Sequence, residues 1–302
     1  MRYNHLNEYL KTKFGERTLK ICVDGNFTCP NRDGFKGIGG CIFCGERGSG
    51  ERIKNIGIKE QVLNHLSSYR GQRANKFIIY FQNFTNTYGS IENLKEKYES
   101  ALIDDRIVAL DIDTRPDCIN EEVCKMLCTF KDKYYVYVEL GLQTVNEKTH
   151  EFINQKITNK DFENAILLLN KYDIDVVVHV MVGLPNETHQ DIVNLVQYLN
   201  NFNYKGIKIH STYVQKNTVL EKMYLNGEYS PIDMQEYVNE VVYIITHIRK
   251  DVIVHRITGD PPKDLLVAPN WMVHKKIVLN SIEKKLEVEN LTQGCKIEEN
   301  IL

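Results

Sequence analysis

Three cysteines, Cys29, Cys41 and Cys44, lie close together near the amino terminus, with eleven and then two residues between them. Soft thiolates bind iron–sulfur clusters, zinc or copper in preference to hard cations. A structural zinc site takes four protein ligands, and a [4Fe–4S] cluster normally takes four thiolates. Three cysteines would therefore leave one iron open to a ligand from outside the protein.

The loop that carries these cysteines is rich in glycine, with Gly34, Gly37, Gly39, Gly40 and Gly45. Glycine tolerates positive φ, so the backbone can fold back tightly and approach an inorganic core. The loop composition therefore fits a metal-binding function.

An alternation of apolar runs and amphipathic runs must position this loop. The strands that we predict are Leu19–Val23, Lys76–Gln82, Ile107–Ile112, Tyr134–Leu140, Asp175–Val182 and Gly206–Val214. The helices that we predict between them are Ile58–Tyr69, Ser90–Leu102, Glu121–Phe130, Asn146–Asn154, Asn159–Tyr172 and His189–Asn201. Nearly continuous apolar strands indicate a parallel sheet that is covered on both faces, and this series predicts an open or partial barrel.

The pattern changes after the sixth strand. We predict a long helix over Pro231–Lys250, with Asp233 as its cap, and a seventh strand over Val252–Ile257. The expected organisation is an α/β fold, with a partial (β/α)6 TIM-like barrel over residues 1–215 and a helical and strand extension over residues 216–302 that packs on it.

Bulk composition sets limits on the function. The chain has 302 residues, 42% hydrophobic residues, eight cysteines and a net charge of −2, with no apolar run of eighteen residues and a polar, charged start. These features predict a cytoplasmic protein without a membrane span, with reduced thiols and no global signal for binding a polyanion. A small local excess of positive charge lies between Arg32 and Lys54.

The motif Cys29-Pro-Asn-Arg-Asp-Gly, followed by Gly-Gly-Cys41-Ile-Phe-Cys44, resembles the cluster loop of the radical S-adenosylmethionine (radical SAM) superfamily. The long first spacing resembles the YhcC/YtqA-type family, which is related to the elongator catalytic subunit, and the resemblance runs from about Asn4 to Gln293. It implies that the three cysteines hold a [4Fe–4S] cluster, that SAM binds at the open iron, and that reductive cleavage of SAM yields a radical that abstracts hydrogen from a substrate.

The resemblance also implies which residues bind SAM. Matching segments follow the strands: Tyr80-Phe-Gln-x-x-Thr-Asn-Thr-Tyr88, Thr114-Arg-Pro-Asp-Cys118 and Gly183-Leu-Pro-x-Glu-Thr188. The cofactor-binding residues that it implies are Gln82, Asn83, Thr85, Arg115, Glu139, Gln143, Gln155, His179, Met181 and Gly183. At Gln155 the relatives carry an arginine that is positioned for the SAM carboxylate, so this chain departs from the pattern there.

Two of these residues have an alternative interpretation from the residues themselves. Arg115 could instead form a structural pair with Asp117, and His179 could be a core histidine. A carboxylate inside an apolar strand is costly without a partner, so Glu139 should face a polar cavity. Lys208 and His210 share one face of the sixth strand, and Lys208 could be a solvated edge residue.

The function that the resemblance implies is modification of the wobble uridine of tRNA, converting a 5-carboxymethylaminomethyl group to 5-aminomethyl. The partners would be tRNA and an electron donor of the flavodoxin or ferredoxin type. One alternative is a radical SAM enzyme that acts on a small molecule or a protein. Another is a zinc-binding module without catalysis, closed by Cys22, Cys29, Cys41 and Cys44.

Overall fold

A half-barrel of parallel strands forms the centre of the molecule. The computed structural model describes residues 1–48, 53 and 56–297, and within them seven parallel strands pair in the order β1-β2-β3-β4-β5-β6-β8. These strands are β1 (Thr18–Val23), β2 (Lys76–Phe81), β3 (Ile107–Thr114), β4 (Tyr135–Gln143), β5 (Asp175–Val182), β6 (Gly206–Ser211) and β8 (Ile253–Arg256). Two short strands, β7 (Val214–Gln215) and β9 (Leu266–Ala268), pair antiparallel beside it.

Helices pack around the sheet. They are α1 (Leu6–Phe14), α2 (Ile58–Ser67), α3 (Ile91–Ala101), α4 (Glu121–Cys128), α5 (Glu147–Phe152), α6 (Asn159–Lys171), α7 (His189–Leu199), α8 (Val219–Leu225), α9 (Met234–His247) and α10 (Lys275–Val288). The apolar sides of most of these helices and of the strands form one large buried core.

Local sequence explains why these elements form where they do. Nearly every residue of β2 and β5 is buried, as expected for parallel strands with packing on both faces. Thr158 and Asp161 form a reciprocal capping box at the start of α6. Asp233 accepts a hydrogen bond from the backbone N–H of Glu236, so the predicted cap of α9 is confirmed.

The predicted α/β half-barrel is confirmed, and two strand predictions need correction. The predicted strand Gly206–Val214 ends at Ser211. The next N–H, that of Thr212, donates to the carbonyl of Val182, which is the last residue of β5, so the neighbouring strand offers no further partner. The predicted seventh strand is β8, and it pairs with β6 as a member of the same sheet. The division into residues 1–215 and 216–302 stays a prediction.

Three helices were missed by the sequence patterns. In α1 only Leu10 is buried, so its apolar repeat is too sparse to detect. In α10 the buried residues Val278, Ile282 and Leu286 do follow a helical spacing, so the signal was present. Across the part of the chain that the structure describes, no helix is long and apolar enough to cross a membrane.

Candidate active site

A cavity of about 780 Å³ opens at the carboxyl ends of the parallel strands. Its wall includes Cys22 from β1, Thr114 from β3, His179 from β5, His210 from β6 and Arg256 from β8. In parallel α/β folds the ligand site lies at this end of the strands. The cavity is therefore where the predicted site residues should meet.

The three clustered cysteines lie on this wall. Gly39 and Gly40 precede Cys41 with φ of 86° and 82°, values that favour glycine, so the chain can turn back just before the thiol. The amide of Asn31 donates to the carbonyl of Asn154 at 2.5 Å and contacts the sulfur of Cys41 at 3.8 Å. The cysteine loop is thereby tied to the turn that follows α5.

The chemistry of these thiols fits a metal centre. Burial, helped by the neighbouring Cys44, raises the pKa of Cys41 to about 12, so it stays protonated unless a positive charge is added beside it. Metal binding supplies that charge, since coordinated thiols lose their proton. The three cysteines are therefore suited to hold a cluster.

A closed four-cysteine zinc site is not supported. Tetrahedral zinc with Zn–S bonds of about 2.3 Å brings its sulfurs to about 3.8 Å from one another. Among the described residues, the group of three or more Cys, His, Asp or Glu whose ligand atoms lie within 4.8 Å is Asp113, Glu139 and His179. Cys22 does not approach the other three cysteines in this way.

Most of the predicted SAM-binding residues come together on the cavity wall. These are Gln82, Thr85, Arg115, Gln143, Gln155, His179 and Met181. The hydroxyl of Thr85 and the Oε1 atom of Gln155 are buried and have no hydrogen-bond partner among the described residues. Buried polar atoms are normally paired, so a polar ligand is the natural partner for these two.

Arg115 adopts the structural alternative. Its guanidinium forms a bidentate pair with Asp117, with both N–O distances at 2.9 Å, and donates to the carbonyls of Gln155 at 2.8 Å and Lys156 at 3.2 Å. Lys36 also contacts Asp117, at 2.6 Å. Arg115 thus holds the Gln155 turn in place, and its main partners are protein groups.

Asn83, Glu139 and Gly183 are predicted SAM-binding residues that do not lie on the cavity wall. Asn83 is fully buried. The carbonyl of Gly183 accepts a hydrogen bond from the hydroxyl of Tyr229 at 2.8 Å. The side-chain amide of Asn83 has no hydrogen-bond partner among the described residues, and contact of these three residues with a cofactor stays a prediction.

Glu139 is the centre of a buried ionic network at the bottom of the cavity. Lys20 lies 3.1 Å from its Oε1 atom, Lys208 contacts its Oε2 atom, and His179 approaches that same atom at 2.8 Å. Burial alone would raise its pKa, but Lys20 and Lys208 hold the pKa of Glu139 well below its usual value. Lys208 is buried, so the suggestion that it is a solvated edge residue is wrong.

Burial shifts the pKa of the two aspartates and of His179 towards their neutral forms. Burial raises the pKa of Asp111, which pairs with Lys20, to about 7, and raises that of Asp113 well above its usual value. Burial also lowers the pKa of His179 to about 4. Because Glu139 is ionised, the Nε2 of neutral His179 donates to it, and Nδ1 is left as an acceptor.

Sequence reasoning missed several residues of this network. Lys20, Asp111, Asp113 and Tyr80 all face the lumen, and Arg256 lines the cavity. The usable signal was charge at alternate positions of apolar strands, as in Asp111-Ile-Asp113.

The predicted excess of positive charge near the cysteine loop is partly neutralised. Lys36 pairs with Asp117, and Arg47 pairs with Asp24 at 3.1 Å. Arg52 and Lys54, which belong to the same prediction, lie outside the described residues.

Comparison with known proteins identifies the family models and relatives that this chain matches. Residues 29–199 match the model of the Radical SAM superfamily, and residues 204–288 match the Radical SAM C-terminal domain. The chain is 38% identical to the protein YtqA of Bacillus subtilis over 298 residues, which covers 97% of this chain and 92% of YtqA.

Two further similarities are partial. A tRNA uridine(34) acetyltransferase of Methanocaldococcus jannaschii is 31% identical over 182 residues, covering 59% of this chain and 32% of that protein. The structure of an archaeal Elp3 from Methanocaldococcus infernus superimposes with a TM-score of 0.69 at 19% identity, covering 91% of this chain and 64% of that one. This chain thus spans less than two thirds of either protein, and the structural likeness concerns the fold alone.

Proposed function

The chain belongs to the radical SAM superfamily, and from that premise we propose that it modifies the wobble uridine of tRNA by removing the carboxymethyl group from a 5-carboxymethylaminomethyl side chain. Family membership implies a [4Fe–4S] cluster and SAM as cofactors. When bound, these supply the one-electron cleavage that takes a hydrogen atom from an unactivated carbon.

The residues that would hold the cofactors are on the cavity wall. Cys29, Cys41 and Cys44 offer three thiolates, which leaves one iron of a cubane for SAM. Thr85 and Gln155 present buried polar atoms that lack a protein partner among the described residues, and they would orient SAM by hydrogen bonds. At position 155 a glutamine replaces the usual arginine; its Nε2 donates to the carbonyl of Gly141 at 2.9 Å, and its free Oε1 would accept a hydrogen bond from the amino group of SAM.

The proposed substrate chemistry balances as an oxidation. The methylene carbon between nitrogen and carboxylate loses one hydrogen atom and one electron, water adds to the resulting imine, and the C–N bond breaks to leave the 5-aminomethyl nucleoside and glyoxylate. SAM, when bound, would take up the two electrons overall, so the electron donor would supply no net electrons in a turnover. An electron donor of the flavodoxin or ferredoxin type would prime the enzyme.

The proposal that the substrate is tRNA rests on the 31% identity over 182 residues to a tRNA uridine(34) acetyltransferase. The half-barrel cavity is compatible with it, because a volume of about 780 Å³ is within the range of small-molecule sites.

The test is reconstitution under anaerobic conditions with tRNA that carries the carboxymethylaminomethyl group. We expect 5-aminomethyluridine, 5′-deoxyadenosine and glyoxylate in equal amounts, measured by mass spectrometry of nucleosides and small products. A strain that lacks the gene should accumulate the substrate nucleoside. Formation of 5′-deoxyadenosine with a small molecule or protein, and none with this tRNA, would point to the alternative radical SAM function.

A further inference from the structure

We propose that Arg256 binds the negatively charged group of the substrate, which is the carboxylate of the carboxymethyl side chain if the proposed function is correct. The residue lies on β8, the edge strand that the chain forms after its sixth strand, and it lines the cavity. This assignment rests on the proposed function and names a residue that determines its specificity.

A β-bulge turns Arg256 into the cavity. Gly206 pairs with Ile253 and Ile207 with Val254, but Lys208 pairs with Arg256, so His255 is an extra residue on β8. Without it, Arg256 and His255 would face opposite sides of the sheet. With it, the Nδ1 of His255 lies 4.0 Å from Glu139 inside the barrel while Arg256 lines the same lumen. Bulges next to active sites commonly redirect a side chain in this way.

The cations of the lumen differ in what they contact. Lys20 and Lys208 both pair with Glu139, and Lys20 also pairs with Asp111. Arg256 has no hydrogen bond and no ion pair with any residue that the structure describes. Burial keeps the pKa of His210, beside it, well below the usual value, so that ring adds no charge. The guanidinium is therefore available for an anion from outside the protein.

The position of Arg256 favours the substrate over SAM as the source of this anion. The guanidinium near Cys41 is that of Arg115, and SAM would bind at the iron beside these cysteines. Arg256 instead lies near Cys22, His179 and His210, on β1, β5 and β6, and it is not among the charges that act on Cys41. A guanidinium binds a carboxylate with two parallel hydrogen bonds, so this site discriminates a carboxymethyl group from a neutral one.

The experiment compares three anticodon stem–loops on the reconstituted holoenzyme, carrying the carboxymethylaminomethyl group, its neutral carboxamide and the aminomethyl product. Dissociation constants are measured without reductant, and KM and kcat are measured with it. The wild type should bind the carboxylate about 10- to 100-fold more tightly than the carboxamide. Arg256→Gln should lose this preference, and Arg256→Lys should keep part of it.

Two controls accompany these variants. Arg106→Gln makes the same chemical change just before the amino end of β3, away from the cavity lining, where Arg106 pairs with the partly exposed Asp104, and it should keep the preference. The melting temperatures of the two Arg256 variants should match that of the wild type. Arg256 is half-buried, and its replacement leaves no hydrogen-bond or ion-pair partner unpaired among the described residues.

Each other outcome overturns the assignment in a distinguishable way. A weaker SAM affinity with an intact carboxylate preference would place Arg256 on the SAM carboxylate. An equal loss of affinity for all three stem–loops would place it on a backbone phosphate. If the wild type turns over and Arg256→Gln keeps the preference for the carboxylate over the carboxamide, this assignment alone is wrong. If the wild type converts none of the stem–loops, the proposed function is wrong as well.

Discussion

At the scale of single residues, the thiol of Cys41 depends on a metal for its charge. The pKa of Cys41 is raised to about 12, first by burial and then by Cys44, so the protonated thiol is the stable form of Cys41 without a cluster. Cys22 faces the lumen of the barrel, where its neighbours are lysines and Arg256. The cluster and zinc hypotheses therefore differ in whether Cys22 is a ligand.

We predict that Cys41→Ala abolishes iron–sulfur binding and that Cys22→Ala does not. Anaerobically reconstituted wild type and Cys22→Ala should carry about four irons per chain and be brown, whereas Cys41→Ala should retain far less iron. Iron and sulfide analysis with visible absorbance measures this. A colourless wild type with one zinc, lost in Cys22→Ala, would restore the zinc module.

We predict that Glu139→Gln destabilises the protein by about 3–5 kcal/mol, because Lys20 and Lys208 then lose their shared buried carboxylate. Lys208→Met should also destabilise it. The double variant should lose less stability than the two single losses added together, because Lys208→Met removes one of the cations that Glu139→Gln leaves unpaired. Denaturant unfolding of the anaerobic protein measures this cycle, and simple additivity would show that the two side chains do not interact.

At the scale of elements, the strands could be predicted because buried parallel strands are continuous apolar runs. Their ends could not, and neither could the bulge in β8, because both depend on pairing with another strand. The contacts within the Glu139 network could not be predicted either, although its charged residues could be seen in the apolar strands. Lys20 on β1 and Lys208 on β6 reach the same carboxylate on β4 only because the sheet curves into a half-barrel. The cysteines could be predicted because they lie within one short loop.

The turn between β5 and α7 should respond to pH through Glu187. Burial raises the pKa of Glu187 to about 7, and the hydroxyl of Thr144 donates to it. Between about pH 4.5 and pH 7 the folded protein holds a proton that the unfolded chain has lost, so stability falls as the pH rises, by about 3 kcal/mol at pH 8. Glu187→Gln should remove this loss.

The melting temperature of Glu187→Gln should therefore exceed that of the wild type at about pH 8, and the two should converge at about pH 5. Both proteins are measured anaerobically. Other titrating groups, such as Asp111, are common to both proteins, so their contributions cancel in the comparison. An equal difference at the two pH values would show that Glu187 does not titrate in this range.

At the scale of the whole molecule, the barrel depends on the residues that follow it. The strand β8 extends the sheet beyond β6, and α9 and α10 bury Val241, Ile245, Val278 and Ile282 in the common core. The two chain ends also meet at β8. Gln293 accepts from the backbone N–H of Asn4 at 2.8 Å and donates to the carbonyl of Val252 at 2.7 Å.

We predict that residues 1–215 do not fold alone, because the truncated chain would expose the β6 edge and the core surface that α9 and α10 cover. The fragment should lack a near-ultraviolet circular dichroism signal and be digested quickly by protease. A matched chain that ends at Ile297 keeps β8, α9, α10 and Gln293 and should behave as the full chain. A fragment of residues 1–215 with a native-like spectrum would instead make the 215/216 boundary a division between independently folding units.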